Sequence, residues 1–231
     1  MVPVSGGLTS VQLALAPVSG GLARTLPALW CRYLLFSRLT YDTHISALLK
    51  SCIFHIRALR HIRAALTTDS AKSIACSQIG CRFDYANATL VGISGKNTKR
   101  LRRIQNTLAR VVTRQCGRIS ISKTLKELNW LPVKWLIDFK VVTMTYRLLE
   151  FNEPAYLRSR ISVRVPRRSL RSSADDRHLD DHPTRTNIGA RAFRCVASTI
   201  WNALTLDIRD SPSALVFKSK LKAHYIRLAF S

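Results

Sequence analysis

Apolar residues recur at steps of three and four along most of this chain, and this spacing constrains the fold more than any other feature. In an α-helix such steps place side chains on one face, whereas a half-buried strand needs strict alternation. No stretch of the sequence alternates in the manner of successive strands, so we predict a mainly α protein. The first long run predicts one amphipathic helix with Asp42 as its N-cap. Its apolar positions are Ile45, Leu48, Leu49, Cys52, Ile53, Ile56, Leu59 and Ile62.

The same periodicity continues in the rest of the chain. It predicts helices over residues 68–83, 96–115, 122–129, 189–206 and 213–230, and after Pro132 a helix that carries Leu136, Ile137, Val141, Met144 and Leu148. Gly80 weakens the middle of the first of these, because glycine is a poor helix former. Trp130 and Trp135 lie on either side of a turn at Pro132, and we expect both to anchor the core.

Charge narrows the class of partner. The chain has 37 Lys and Arg against 13 Asp and Glu, a formal net charge of +24 over 231 residues. Such an excess repels the folded chain from itself unless a polyanion is close, and nucleic acid is the polyanion that fits best. The hydrophobic fraction of 47% is ordinary for a globular protein, so the chain is expected to form a core.

The helix predicted over residues 96–115 has the most informative charge pattern. Its apolar stripe consists of Leu101, Ile104, Leu108, Val111 and Val112. At about 100° per residue, its cations on the other face fall within an arc of about 60°; they are Lys96, Lys99, Arg103, Arg110 and Arg114. No acid lies within residues 96–118. A face that only meets water normally mixes both signs and gains i,i+4 pairs, so this one favours contact with a polyanion.

Two segments break the helical pattern. Residues 1–37 contain Pro-Val-Ser-Gly-Gly-Leu twice and are expected to be a disordered Gly/Pro-rich appendage, neither a membrane span nor a cleaved signal peptide. Residues 158–187 lose periodicity and are expected to form a mobile Arg-rich linker. To the five cations of the basic helix we add, as predicted nucleic-acid-binding residues, Arg100, Arg164, Arg167, Arg168 and Arg171.

Short blocks along the chain suggest a family. In chain order they are residues 38–45 (RLTYDTHI), 82–87 (RFDYAN), 101–110 (LRRIQNTLAR), 125–133 (LKELNWLPV), 139–140 (FK), 154–157 (PAYL), 169–172 (SLRS), 189–193 (GARAF), 201–202 (WN) and 217–218 (FK). In the same order they resemble the region that follows the polymerase palm in jockey-like LINE, or non-LTR retrotransposon, reverse transcriptases. The resemblance covers residues 38–229.

The resemblance implies an organisation. It suggests a thumb-like helical bundle over residues 38–117 and a helical connection over 118–157, followed by the linker over 158–187 and a small helical C-terminal region over 188–231. Three positions depart from the family pattern. Ala86 stands where the family usually has Cys, and Asn129 where it often has His. Thr205 stands where Pro commonly follows the Trp-Asn-x-Leu string. Such drift is typical of an element copy under weak constraint.

The sequence does not predict catalysis. The carboxylates that hold the two metal ions of nucleotidyl transfer lie, in the family it resembles, upstream of these blocks. The adjacent acid pairs here, Asp175-Asp176 and Asp180-Asp181, lack the aromatic residue and apolar strands of a polymerase aspartate hairpin. We therefore expect no enzyme activity, no catalytic residue, no cofactor and no small-molecule substrate.

A metal site is not predicted either. Cys52 and His55 are three residues apart and His178 and His182 four apart, but neither pair belongs to a four-ligand zinc set. Cys52 lies on the apolar stripe of the first helix, where a core role is favoured. The six cysteines show no paired spacing, which favours a reducing compartment, and the resemblance implies the nucleus or cytoplasm and not secretion.

The prediction is a noncatalytic remnant of a retrotransposon reverse transcriptase. It would bind the phosphate backbone of RNA or DNA through a basic helical face, without sequence specificity and without a membrane partner. Two alternatives stay open: a fossil translation product with no selected function, and a fragment that complements a separate reverse transcriptase core. RNA or DNA preference and oligomeric state stay undetermined by the sequence.

Overall fold

The structure is a computed structural model that describes residues 41–84, 87–115, 119–164 and 177–231. It is mainly helical, as the apolar periodicity predicts, and the described residues belong to one compact unit. The α-helices are α1 (Asp42–Ile62), α2 (Thr68–Ala75), α3 (Cys81–Asp84), α4 (Gly95–Thr113), α5 (Ile121–Glu127), α6 (Val133–Phe151), α7 (Ala155–Arg158), α8 (Phe193–Asn202), α9 (Leu206–Arg209) and α10 (Ala214–Phe230). The predicted appendage, residues 1–37, lies outside the described residues. None of the described helices is long and apolar enough to cross a membrane.

The start of α1 differs from the prediction. Asp42 is the first helical residue, and the N-cap is Tyr41, which has a left-handed φ of 56°. The Asp42 carboxylate is engaged elsewhere, because it accepts a hydrogen bond of 2.6 Å from Nδ2 of Asn97 near the start of α4. A negative charge in the first turn also complements the helix dipole.

Helices α1 and α4 lie side by side and run parallel. Their N-terminal ends meet where Asn97 contacts Asp42, and one turn later Nη2 of Arg100 donates to the Ser46 hydroxyl at 3.0 Å. Their C-terminal ends meet where Nη2 of Arg63 donates to the Val112 carbonyl at 2.6 Å. Both helices bury their apolar faces in the same hydrophobic cluster, which we call the first core.

The helix predicted over residues 68–83 is interrupted by a π turn, residues Cys76–Gly80. Four of its residues are buried at steps of four: Ala71, Ala75, Ile79 and Phe83. In a regular α-helix such a series drifts around the axis by about 40° per step, since each residue advances about 100°. The wider π turn reverses part of that drift, so all four side chains stay on the first core.

A second core forms around α6, α8 and α10. The ring of Phe217 stacks on Tyr146 at a centroid distance of 4.1 Å and lies 6.0 Å from the ring of Trp201. The 19-residue helix α6 joins the two cores, because Ile137 packs in the first and Val141 in the second. Helix α6 therefore positions α1 and α4 relative to the C-terminal helices α8 and α10.

Trp130 and Trp135, the two predicted core anchors, pack against the first and the second core respectively, but the tryptophan that is fully buried among the described residues is Trp201. Trp130 and Trp135 are half-buried, whereas Trp201 is 1% exposed. Its indole N–H donates to the Arg177 carbonyl at 2.7 Å, which satisfies the polar atom that burial would otherwise leave without a partner. Trp135 lies at the margin instead, with its ring 5.3 Å from that of Tyr225.

The described parts of the predicted linker are packed on α8. Val163 and Leu179 form an antiparallel bridge, and Leu179 is buried in the second core. The Asn202 side chain holds Leu179 from both sides, accepting from its N–H and donating to its carbonyl at 2.9 Å each. The described ends of the predicted linker therefore contact the second core, and the mobility of the segment stays a prediction.

Candidate nucleic-acid interface

The predicted basic face of α4 is exposed. Lys96, Lys99, Arg103 and Arg110 are all exposed, while Leu101, Leu108 and Val112 on the other side of the helix are buried. Within residues 41–84, 87–115, 119–164 and 177–231, none of these four cations forms an ion pair with an acid. Their charge is therefore not neutralised by any carboxylate that the structure describes.

Two other predicted cations of this helix have structural partners. The Arg100 guanidinium is half-buried and donates to Oδ1 of Asn97 as well as to Ser46, so it fastens α4 to α1. Arg114 follows the last residue of α4 with a φ of 54°, and its Nη2 donates to the carbonyls of Arg63 and Ala64 at 2.7 and 2.8 Å. These contacts hold both guanidinium groups against the protein.

Arg63, which the sequence analysis did not single out, is the buried counterpart of Arg114. It is 6% exposed and donates to the carbonyls of Val111 and Val112 at the end of α4. The two arginines thus cap each other's helix ends, where unpaired carbonyls carry the negative end of the dipole. Burial and the neighbouring Arg114 guanidinium lower the pKa of Arg63. An arginine nevertheless stays charged in proteins, so this end of the helix pair is positive.

Helix α1 adds cations that the sequence analysis missed. Lys50, Arg57 and Arg60 are exposed on α1, and after Asp42 this helix contains no acid. Because α1 and α4 bury their apolar faces in the same core, their opposite faces point outward together. We call seven exposed cations of the two helices the basic surface: Lys50, Arg57, Arg60, Lys96, Lys99, Arg103 and Arg110. The sequence signal for these cations is the seven-residue step from Lys50 to Arg57, because residues seven apart lie on the same face of a helix.

The parallel register fixes which cations lie level. Residues of α1 contact residues 49 to 55 positions later in α4. At these offsets Lys50 lies within about one helical turn of the level of Arg103, and Arg57 within about one turn of the level of Arg110. The basic surface therefore consists of two rows of positive charge that run along neighbouring, parallel helices.

Arg164, the predicted linker arginine that the structure describes, is not part of this surface. Arg164 is exposed, but its backbone N–H donates to the His178 carbonyl beside the second core. Arg167, Arg168 and Arg171 lie outside the described residues. Around the second core the charges are mixed, since Arg177 pairs with Glu150 at 2.6 Å.

The cysteine and histidine pairs do not assemble a metal site among the described residues, where no group of three His, Cys, Asp or Glu side chains could hold an ion. Cys52 is fully buried in the first core, as predicted, and burial raises the pKa of its thiol to about 11. Metal ligation requires the thiolate, which that shift disfavours. Of the adjacent acids, Asp181 accepts a weak 3.4 Å hydrogen bond from Asn202, and Asp175 and Asp176 lie outside the described residues.

An apolar cavity of about 410 Å³ opens between the π turn, α4 and α6. Its volume lies in the range of small-ligand pockets, which combine apolar walls with a few converging polar groups. Phe83, Trp130 and Phe139 form much of its wall. The Gln105 side chain also lines it, but its amide N–H group donates to the Leu131 carbonyl at 2.7 Å. The amide oxygen of Gln105 is buried without a hydrogen-bond partner.

No known protein family, curated protein or solved structure matches this chain.

Proposed function

We propose that this chain binds nucleic acid through the basic surface and catalyses no reaction. One observation supports the proposal most directly: two parallel helices expose rows of cations that no described acid neutralises. Polyanion binding would relieve this repulsion, and the release of condensed counterions would supply the affinity.

The proposed mode of binding is contact with phosphates. Lys96 and Arg110 are 14 residues apart, which at about 1.5 Å per residue is about 21 Å along α4. A strand with one phosphate per about 3.4 Å presents about six phosphates over that length. Cations on long flexible stems suit backbone contact, which carries affinity and register but little sequence information.

The family resemblance supports the same proposal. If the blocks shared with LINE-type reverse transcriptases reflect common descent, the helices around the first core correspond to a thumb-like region that follows the palm. Such a region would hold template and primer, or the element RNA, while the palm performed the chemistry.

The test is the salt dependence of binding to a labelled DNA duplex, measured by fluorescence anisotropy. The four cations that α4 contributes to the basic surface predict a slope of log K against log salt of about −3.6, and all seven cations of the basic surface predict about −6. Replacing both Arg103 and Arg110 with Ala should make the slope less steep by about 1.8, at about 0.9 per contact. Stability should stay nearly unchanged, because both side chains are exposed.

The matched control is the double replacement of Lys72 and Lys126 with Ala, which removes the same charge from α2 and α5. This variant should keep the wild-type slope to within experimental error. Equal changes in the two double variants would show that charge acts only as a diffuse field. Failure of the wild-type protein to bind at low salt would refute the proposal itself.

A further inference from the structure

An aromatic ring stands in the middle of the α1 part of the basic surface. Phe54 is 69% exposed, on the side of α1 opposite the buried stripe that includes Cys52 and Ile56. Burying a phenyl ring stabilises a protein by about 1.5–3 kcal/mol, and at this position the fold gains little of that. A single exposed apolar side chain is common in proteins, so its surroundings decide what it means.

The surroundings of Phe54 are cationic. Residues three and four positions apart are neighbours on a helix surface, which places Lys50 and Arg57 on either side of the ring and His61 one turn beyond Arg57. All three side chains are exposed, and no acid occurs between Thr43 and the end of α1. The ring of His55 meets that of Phe54 at 86° and 5.3 Å, so the two rings are not stacked face to face.

We infer that Phe54 stacks on an unpaired base, so that the basic surface prefers single-stranded nucleic acid to duplex. The inference rests on the proposed function. A flat apolar ring between two cations matches a flexible strand, whose bases and phosphates alternate along its length. In a duplex the bases are already stacked inside the helix, and the ring has only phosphates and sugars to meet.

A membrane surface suits this face less well. Helices that lie in a bilayer interface present a continuous apolar face with cations beside it. The exposed large apolar residues of α1 besides Phe54 are Ile53, 38% exposed, and Ile62, 50% exposed at the end of the helix, and the positions between Phe54 and Ile62 on the exposed side are polar or small. The rows of cations also continue onto α4, which exposes no large apolar side chain among its described residues.

The experiment compares oligothymidylate with a hairpin duplex of equal phosphate count, using anisotropy at one salt concentration. Replacing Phe54 with Ala should weaken binding to the single strand about 5- to 140-fold, which corresponds to about 1–3 kcal/mol per stacked base. Binding to the duplex should change less than about twofold, because a phosphate contact does not involve the ring.

The matched control is Phe151→Ala. Phe151 is also an exposed phenylalanine at 56%, but it ends α6 beside Glu150. Its removal should change neither affinity. In Phe54→Trp, the extra tryptophan fluorescence should be quenched by oligothymidylate and not by the duplex, which reports stacking independently of affinity.

The outcomes separate the two proposals. Equal weakening of single-strand and duplex binding by Phe54→Ala, or no weakening at all, overturns the stacking inference and leaves the proposed function standing. An equal loss of single-strand affinity in Phe151→Ala also overturns the stacking inference. Binding of oligothymidylate to Phe54→Trp without quenching of the fluorescence overturns it as well. Stronger Phe54-dependent binding to phosphatidylserine vesicles than to oligothymidylate assigns the ring to a lipid surface. Wild-type protein that binds neither oligonucleotide refutes both proposals.

Discussion

Replacing Arg63 with Met tests the account of how the basic helix pair is held together. The guanidinium joins the two helix ends through short hydrogen bonds: Nη2 and Nε donate to the Val112 carbonyl at 2.6 and 3.0 Å, and Nη1 donates to the Leu66 carbonyl at 2.7 Å. Methionine keeps much of the apolar stem but donates no hydrogen bond. The variant therefore removes the donors with little change in packing.

The size of the effect follows from which carbonyl is left unpaired. The Leu66 carbonyl keeps a second donor, because Nη2 of Arg114 lies 3.3 Å away, whereas the Val112 carbonyl loses a charged donor in a buried place. A hydrogen bond to a charged group contributes about 1.5–3 kcal/mol, and an unsatisfied buried group costs about 1–3 kcal/mol. Relief of the repulsion between the two guanidinium groups offsets part of this. We expect a net loss of about 3 kcal/mol, against a total stability of about 5–15 kcal/mol.

Urea unfolding followed by circular dichroism measures the effect. A lower midpoint at constant m gives the loss directly, and the melting temperature should fall by about 6–12 °C at about 2–4 °C per kcal/mol. Arg60→Met, on the exposed side of the same helix, is the control and should change stability by less than about 0.5 kcal/mol. Arg63→Lys keeps the charge but loses the planar fork, and should lose nearly as much stability as Met. If the variants of Arg63 and Arg60 were equally stable, the buried arginine would not hold the pair.

Two further predictions concern the second core and acidification. Phe217→Ala should lower the free energy of unfolding, measured in urea, by about 3–5 kcal/mol, because the ring is fully buried. The control is Leu215→Ala, which should lower it by less than about 0.5 kcal/mol because Leu215 is 80% exposed. Similar losses in the two variants would show that Phe217 does not lie in the core. Burial lowers the pKa of His44 and of His224, and the nearby Arg227 lowers the pKa of His224 further. The unfolded chain therefore binds more protons than the folded chain below pH 6.5. Stability should therefore fall from about pH 7 towards pH 5, and His44→Gln should reduce that slope; a rise on acidification would contradict the account.

The sequence predicts α4 and α10 to within a few residues. Predictions over 96–115 and 213–230 correspond to helices Gly95–Thr113 and Ala214–Phe230. Both are capped by a serine, Ser94 or Ser213, whose hydroxyl accepts a hydrogen bond from the backbone N–H three residues further on. Strong apolar periodicity and a local N-cap can both be read from the sequence of the helix itself, so these helices are predicted without knowledge of the rest of the fold.

The π turn and the shortened α8 show where segment-level information ends. Residues 189–206 were predicted as one helix, but the structure has a 3₁₀ turn over Gly189–Arg191, then α8, then α9 from Leu206. The apolar residues of this region are in helical steps, yet the packing of Trp201 and Leu204 in the second core decides where the chain must turn. Such constraints come from residues distant in sequence, so no local pattern reports them.

The sequence predicts the α4 part of the basic surface but not its α1 part, because only the first depends on a local pattern. Periodicity alone identified Lys96, Lys99, Arg103 and Arg110, because the contrast between two faces of one helix is visible in the sequence. It could not distinguish them from Arg100 and Arg114, which look the same in sequence and are bound to neighbouring groups. The contribution of α1 depends on its parallel pairing with α4, which only the tertiary contacts reveal.

The parallel pairing of α1 and α4 also has a consequence during synthesis. Thr113, the last residue of α4, leaves the ribosome 51 residues after Ile62, the last residue of α1. At about 5–20 residues per second that interval lasts about 3–10 s, far longer than a helix needs to form. Until the end of this interval α4 is incomplete and cannot cover the whole apolar stripe of α1. A nascent chain that pauses between these two residues would therefore be a substrate for chaperones, and a chain truncated there would be prone to aggregate.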